Sequence, residues 1–152
     1  MNEICRMKAL IQRVKHASVS VGGEQRASIE QGLLVLLGIT DSDTTAEADW
    51  LAAKVANIRI FNDDSGKMNH SVLETNGDVI VVSQFTLYGD ARKGNRPSYI
   101  QAARPEKAEP LYEYFVAALQ KHLPKPVQTG IFGADMQVSL LNDGPVTLMV
   151  ET

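Results

Sequence analysis

The chain has 152 residues, of which 44% are hydrophobic and 22% are charged, and its formal net charge is −3. This composition is typical of a globular protein, and the length suits one domain with a hydrophobic core. The acidic balance excludes a general basic surface, so any contact with nucleic acid must be local or made to a short end of it. No apolar run approaches membrane-spanning length and no signal peptide is visible, so we expect no membrane partner and a cytoplasmic location.

The first six residues precede the strand-like pattern that begins at Met7. We interpret residues 1–6 as an N-terminal extension, expect it to be disordered, and place the domain at residues 7–152. The single cysteine, Cys5, lies in this extension. It cannot form an internal disulfide, which favours a reducing compartment, and we interpret it as incidental rather than as a nucleophile.

Several strands are predicted in the N-terminal part of the chain. The patterns at 8–14 and 17–21 predict two strands, and the glycine pair at 22–23 predicts a hairpin turn into a third strand near 26–29. The continuous apolar run at 33–39 is typical of a central strand.

Arg13 stands between apolar neighbours in the first predicted strand. Such an arginine is commonly an edge residue whose charged head reaches water. The alternative is a guanidinium that binds a nearby carbonyl or carboxylate. The residues alone leave both interpretations open.

Two amphipathic helices are predicted. Thr44 and Glu47 have the spacing of a capping box, and a stripe of apolar residues follows them. A second stripe, in the region 108–119, predicts another helix. Pro105 is suited to its first position, whereas Pro110 must lie in the first turns or produce a kink.

The candidates for a metal site are the polar residues at 62–66 and three histidines. The polar run lacks the ligand spacing and the terminal glutamate of an EF-hand, so it predicts a turn. The three histidines are His16, His70 and His122. None of them has a second histidine or cysteine at ligand spacing. We therefore predict no metal and no cofactor.

A second apolar run, at 78–82, changes character at its end. Its β-branched residues are typical of a strand buried on both faces. Ser83, Gln84 and Thr86 then bring polar groups to the strand end. Active sites commonly lie where buried strands end, because a rigid element there presents exposed groups. The alternative is a strand that ends in ordinary polar residues.

A loop with three cations follows this strand: Arg92, Lys93 and Arg96. Such a loop is usually a solvated surface segment. It is also a cationic cluster near the candidate site, which suits a phosphate partner.

The C-terminal segment alternates between apolar and polar residues at 136–140 and again at 146–150. This pattern predicts two strands, with Gly144 and Pro145 as the turn between them.

Two short motifs together resemble the signature of the D-aminoacyl-tRNA deacylases. The first is Ser83-Gln84-Phe85-Thr86-Leu87, and the second is Asn142-Asp143-Gly144-Pro145-Val146-Thr147. Four further segments resemble the same family in the same order: 12–14, 66–69, 94–98 and 128–132. The resemblance covers nearly the whole chain from Met7, and the two motifs at this separation are highly specific.

This resemblance implies a homodimeric tRNA-editing hydrolase. Such an enzyme cleaves the ester between a D-amino acid and the terminal ribose at the 3′ end of tRNA, and it also removes glycine mischarged onto alanine tRNA. Its mechanism is assisted by the RNA. The family fold implies a single α/β domain, a three-layer β/β/α-type arrangement of mixed sheets with two main helices.

The resemblance also implies the site residues. The residues that would line the pocket are Ser83, Gln84, Phe85 and Thr86, with Phe132 and Met136 as further walls. In the family, a cis Gly-Pro peptide is inserted from one subunit into the active site of the other, where it excludes L-amino acids. Gly144 and Pro145 would be that element, and Arg13 its anchor.

The residue types agree with this expectation, because the chain has no usable Ser-His-Asp set, paired-carboxylate signature or metal site. An aminoacyl ester is already activated, so orientation and polarisation by backbone N–H groups after Ser83 can suffice. Two other interpretations stay open. One is an esterase that uses Thr86 or Ser83 as a nucleophile. The other is a non-catalytic module that binds the end of charged tRNA.

Overall fold

The long strand β1, Lys8–Val21, is the element on which the other strands assemble in the computed structural model, which describes residues 6–152. The other strands are β2 (Glu24–Ile29), β3 (Gly32–Gly38), β4 (Phe61–Asn62), β5 (Met68–His70), β6 (Asp78–Ser83), β7 (Gln128–Thr129) and β8 (Met136–Glu151). The helices are α1 (Thr45–Asn57) and α2 (Pro105–Gln120), and a 3₁₀ turn, Phe85–Tyr88, follows β6. Residues 1–5, with Cys5 and most of the expected extension, lie outside the described part.

Strand β1 pairs along both of its edges. On one edge its first half pairs antiparallel with β3 and its second half with β2, whereas β8 pairs antiparallel along the whole of the other edge. Strand β6 adds to β3 in parallel, and β7 adds to β6. The Ser28 amide donates to Gln128 Oε1 at 2.8 Å and so links β2 to β7. The mixed sheet therefore curls nearly into a barrel.

Strands β3 and β6 are buried on both faces, as the sequence predicts. Successive side chains of a strand point to opposite faces of the sheet. Leu33 and Val81 belong to the core beneath the helices, whereas Leu34 and Ile80 belong to a second core inside the curl of the sheet. The expected single α/β domain with a mixed sheet and two helices is confirmed, and the polar end of β6 lies on rigid structure.

Both predicted helices form. Helix α1 begins with the predicted capping box, in which the Glu47 carboxylate accepts from the Thr44 amide at 2.5 Å and the Thr44 hydroxyl accepts from the Ala46 amide at 3.3 Å. Helix α2 begins at Pro105 and continues through Pro110. Proline has no backbone N–H, but a helix makes no internal hydrogen bond from the N–H of its first residue.

Two expectations about strands are wrong. The segments 8–14 and 17–21 are parts of one strand, because β8 pairs with both and holds them in line. The two strands expected around Gly144 and Pro145 are likewise one strand, β8. The register between β1 and β8 shifts between Gln12 and Val14 and again between Val14 and His16, so residues 143–146 bulge from the ladder without reversing the chain.

The N-terminal cap of α1 gives a first testable prediction. We expect Thr44→Ala to lower the free energy of unfolding by about 1 kcal/mol, because first-turn amides lose their partner. Thr45→Ala is the matched control, since Thr45 carries the same side chain inside the helix. Urea denaturation of the three proteins measures the difference, and equal losses in the two variants would contradict it.

The same cap predicts a pH dependence. Hydrogen bonds from the Thr44 side chain and then from its backbone lower the pKa of Glu47. The stabilisation is therefore complete above the pKa of unfolded Glu47 and is lost as the pH falls through its lower folded value. The gap between wild type and Thr44→Ala should thus be smaller near pH 3 than near pH 7.

Candidate active site

The polar end of β6 lies at a cavity of about 760 Å³. Small-molecule sites commonly have volumes of about 300–1,000 Å³. Several of the predicted site residues line this cavity: Ser83, Gln84, Phe85, Phe132 and Met136. Leu37 at the end of β3 and Ile39 just after it form a further part of the wall. The structure therefore brings the β6 motif together with the segment that precedes β8.

Some of the backbone N–H groups after Ser83 already donate hydrogen bonds within the protein. The Gln84 amide donates to Leu37 O at 2.8 Å, so it is not free to polarise a bound carbonyl. The Gln84 side-chain amide donates to Thr86 Oγ1. The amides of Phe85 and Thr86, at the start of the 3₁₀ turn, have no hydrogen-bond acceptor among residues 6–152. The candidates for polarising a bound carbonyl are therefore the amides of Phe85 and Thr86.

The 3₁₀ turn is fixed from below by the buried side chain of Tyr88. Its hydroxyl donates to Gly38 O at 3.3 Å and to Arg6 O. Lys8 Nζ lies 4.8 Å from the centre of the Tyr88 ring and donates to Leu87 O at 3.4 Å. These contacts join the turn to the ends of β1 and β3, so the residues at its start are held in place.

The rim of the cavity is aromatic and exposed. The Phe85 side chain is 56% exposed and meets the Tyr99 ring edge-on, with centroids 5.2 Å apart. Ile100, which also lines the cavity, is 85% exposed. A contiguous apolar rim beside a concave site is typical of a binding surface.

Some cavity residues are absent from the sequence-based prediction. They include two carboxylates and one cation: Asp41, Asp135 and Arg104. Asp41 comes shortly after the buried run at 33–39, so the strand-end argument applied to β6 would have found it at β3 as well. The other two reach the cavity from segments before β8 and α2, and no local pattern marks them.

Arg13, Gly144 and Pro145 form a second group. The Arg13 side chain is buried, and its Nε donates to Asp143 O at 2.9 Å while its Nη1 donates to Ile60 O at 2.7 Å. Of the two interpretations of Arg13, the guanidinium that binds carbonyls is therefore confirmed. The Gly144–Pro145 peptide is cis, and Gly144 has φ of +132°.

Within one chain, the group formed by Arg13, Gly144 and Pro145 does not meet the cavity residues. Gly144 and Pro145 are exposed, and neither they nor Arg13 line the described cavity. Thr86 is also exposed and does not line the cavity itself. Its hydroxyl accepts a hydrogen bond from the side chain of Gln84, which does line the cavity.

The polar run that was a candidate for a metal site forms a turn. Asp63 accepts from the Ser65 and Lys67 amides, which makes the turn expected at 62–66. Within residues 6–152, no three or more His, Cys, Asp or Glu side chains are grouped as metal ligands. The same part of the chain contains no helix long and apolar enough to span a membrane.

Comparison with known proteins decides the family. The model of the family described as D-Tyr-tRNA(Tyr) deacylase matches residues 10–151. The chain belongs to this deacylase family. Relatives named D-aminoacyl-tRNA deacylase are 57% identical in Cytophaga hutchinsonii and 56% identical in Flavobacterium johnsoniae, each over 96% of this chain and 97% of the relative.

Solved structures agree with the deacylase fold. The c-Myc DNA unwinding element binding protein superposes with a TM-score of 0.90 at 45% identity, over 95% of this chain and 98% of that protein. A probable eukaryotic D-amino acid tRNA deacylase has a TM-score of 0.83 at 18% identity, over 97% of this chain and 100% of that protein. The second likeness shows the fold alone.

The contact between Arg13 and the bulge of β8 gives the next prediction. A Cβ on Gly144 would lie 2.9 Å from Val146 Cγ2 and 3.1 Å from Arg13 Nη2, whereas a Cβ on Gly94 would have nothing within 4 Å. Their φ angles are similar, +132° and +123°, so backbone strain is matched. We expect Gly144→Ala to lower the free energy of unfolding by about 1–3 kcal/mol more than Gly94→Ala.

Urea denaturation of both variants measures this difference. If Gly144→Ala and Gly94→Ala lose the same stability, the bulge is free to move away from Arg13 and is not fixed by it.

Proposed function

We propose that this deacylase family member hydrolyses the ester between a D-amino acid and the terminal ribose at the 3′ end of tRNA. The observation that carries the proposal is the cavity at the end of β6, lined by Ser83, Gln84 and Phe85 in a chain that is 57% identical to a named D-aminoacyl-tRNA deacylase. We propose that the catalytic domain is residues 7–152, that it uses no metal or cofactor, and that it acts in the cytoplasm.

The charges of the cavity suit the two ends of such a substrate. An aminoacyl ester carries a cationic α-amino group, which Asp41 and Asp135 at the cavity wall favour. The terminal nucleotide carries a phosphate, which Arg104 favours. The exposed rings of Phe85 and Tyr99 offer apolar area to a side chain or a base.

Backbone groups and the RNA itself can supply the chemistry. An amide N–H placed about 2.7–3.1 Å from the developing oxyanion stabilises the tetrahedral intermediate. The Phe85 and Thr86 amides are the candidates for this role, because the Gln84 amide is occupied by Leu37 O. The vicinal ribose hydroxyl then assists the attack of water on the ester carbonyl.

A protein nucleophile is the less favoured alternative. The Thr86 hydroxyl receives a hydrogen bond from the Gln84 side chain, and an amide is not a general base. The described histidines lie on other elements: His16 on β1, His70 on β5 and His122 after α2. His70 Nδ1 lies 3.8 Å from Glu74 Oε1, and neither residue lines the cavity.

Strand β8 supports a homodimer. Its outer edge has no strand partner among residues 6–152, and its exposed side chains include Val138, Leu141 and Met149. A long unpaired edge with apolar residues is normally covered, since it otherwise promotes aggregation. We propose that a second copy covers it, in the three-layer arrangement of the family, and that Gly144 and Pro145 enter the cavity of the partner.

Entry of a rigid element would explain rejection of L-amino acids. Discrimination of ~10⁴-fold requires about 5.5 kcal/mol. One hydrogen bond contributes only about 1 kcal/mol, whereas a steric wall can exclude the wrong enantiomer outright. The bonds from Arg13 to Asp143 O and Ile60 O support rigidity in this element. Glycine has no side chain to exclude, so glycyl-tRNA for alanine is included among the proposed substrates.

Release of amino acid from charged tRNA tests the activity. We expect wild-type protein to hydrolyse D-tyrosyl-tRNA and glycyl-tRNA for alanine, and to leave L-tyrosyl-tRNA intact. Thr86→Ala should lower the D-specific rate by less than about tenfold, because its hydroxyl does not attack. Thr45→Ala, a threonine in α1, is the matched control.

Three outcomes separate the interpretations. Retained D-specific hydrolysis in Thr86→Ala supports the proposal. Complete loss in that variant, with a trapped aminoacyl adduct on wild-type Thr86, identifies an esterase. Binding of charged tRNA by the wild type without faster release identifies a non-catalytic module.

Subunit complementation tests the shared site. Ser83→Phe should block the cavity, and Gly144→Ala should misplace the element so that it intrudes on the cavity of the partner, so each variant alone should be poorly active. After co-refolding, mixed dimers hold one intact cavity facing one intact Gly144–Pro145 element. We expect a return to about a quarter of wild-type activity per subunit, since half of the dimers are mixed and each has one good site.

Sedimentation shows whether the proteins in that mixture are monomers or dimers. A fully active wild-type monomer, or a mixed dimer with no recovery, would contradict the shared site.

A further inference from the structure

The charge of the chain is distributed unevenly around the cavity. Residues 90–107 contain five cations and two anions, whereas the rest of the chain contains ten cations and sixteen anions. The same segment supplies Tyr99, Ile100 and Arg104 to the cavity wall. A locally positive segment therefore borders the cavity of a protein with a net charge of −3.

The two ends of the cationic loop are joined to each other, and the end at Tyr99 is joined to the mouth of the cavity. Asp90 and Ser98 exchange backbone hydrogen bonds, each 2.8 Å long. The next residue, Tyr99, packs against the Phe85 ring. Three peptides separate Arg96 from Tyr99, so their Cα atoms are at most about 11 Å apart. Arg96 thus lies near the Tyr99 side of the cavity wall.

The three cations of this loop have different surroundings. Arg92 donates from Nε and Nη2 to the two oxygens of Asp90, at 2.9 Å and 2.7 Å. This pair lowers the pKa of the Asp90 carboxyl to about 2, so the brace stays charged at neutral pH. Lys93 and Arg96 are exposed and make no ion pair with any of residues 6–152. Arg92 therefore shapes the loop, and the other two cations face solvent.

We propose that Lys93 and Arg96 bind backbone phosphates of the acceptor end of tRNA while the terminal aminoacyl group occupies the cavity. The proposal rests on the proposed function and names the part of the substrate held outside the cavity. An acidic protein repels a polyanion at long range, so binding needs a local cationic contact. Phosphate contacts of this kind place the nucleic acid without reading its sequence.

A double variant with a charge-matched control tests whether Lys93 and Arg96 bind phosphate. Lys93→Gln/Arg96→Gln removes the two free cations, and Lys67→Gln/Lys121→Gln removes two exposed cations from outside the loop. For D-tyrosyl-tRNA we expect the loop variant to raise KM about tenfold with kcat unchanged, and to reduce the salt dependence of log KM by a slope of about 1–2. The control variant should change KM less than about twofold.

D-tyrosyl-adenosine, which has no phosphate, separates binding from chemistry. The loop variant should hydrolyse this substrate at the wild-type rate. An equal loss on both substrates would overturn the proposal, because the loop would then shape the cavity. An equal rise in KM for the two double variants would also overturn it, because net charge alone would be responsible. Hydrolysis of neither substrate by the wild type would instead reject the proposed function.

Discussion

The arrangement of this protein depends on the hydrogen bonds of the buried Arg13 guanidinium. It lies in the middle of β1, where the register with β8 shifts, and it donates to carbonyls of Asp143 and Ile60. A buried cation is costly unless its donors are satisfied, so these bonds determine where the bulge of β8 can lie. Strand β8 pairs with β1 on both sides of Arg13, and β1 pairs with β2 and β3 along its other edge.

The sheet in turn places polar groups at one end of a rigid core. Strand β6 is packed between the helix-side core and the core inside the curl, so Ser83 cannot move without disturbing both. Tyr88 and Lys8 hold the turn that follows. A site that relies on placement rather than on a strong nucleophile needs such support, because small displacements reduce orientation effects sharply. The cavity and its anchoring therefore agree with hydrolysis of an activated ester.

Local physical rules predicted most of the secondary structure. The capping box of Thr44 and Glu47, the helical stripes and the two apolar strands depend on neighbours in sequence, and all are present. The same rules failed at 8–21 and 136–151, where they predict breaks. Those breaks are absent because β1 and β8 hold each other in line over a distance that no local pattern reports.

Local patterns in the sequence were enough to predict the fold class, the family through its two motifs, and the cavity residues that lie on the β6 motif and at Phe132 and Met136. These depend on periodicity and on short motifs, which the order of residues contains directly. Other features became visible only in the folded chain: Arg13 binds Asp143 O, the Gln84 amide is occupied, and Asp41, Arg104 and Asp135 reach the cavity. Such contacts join residues far apart in the chain, and their geometry exists only after the sheet has curled.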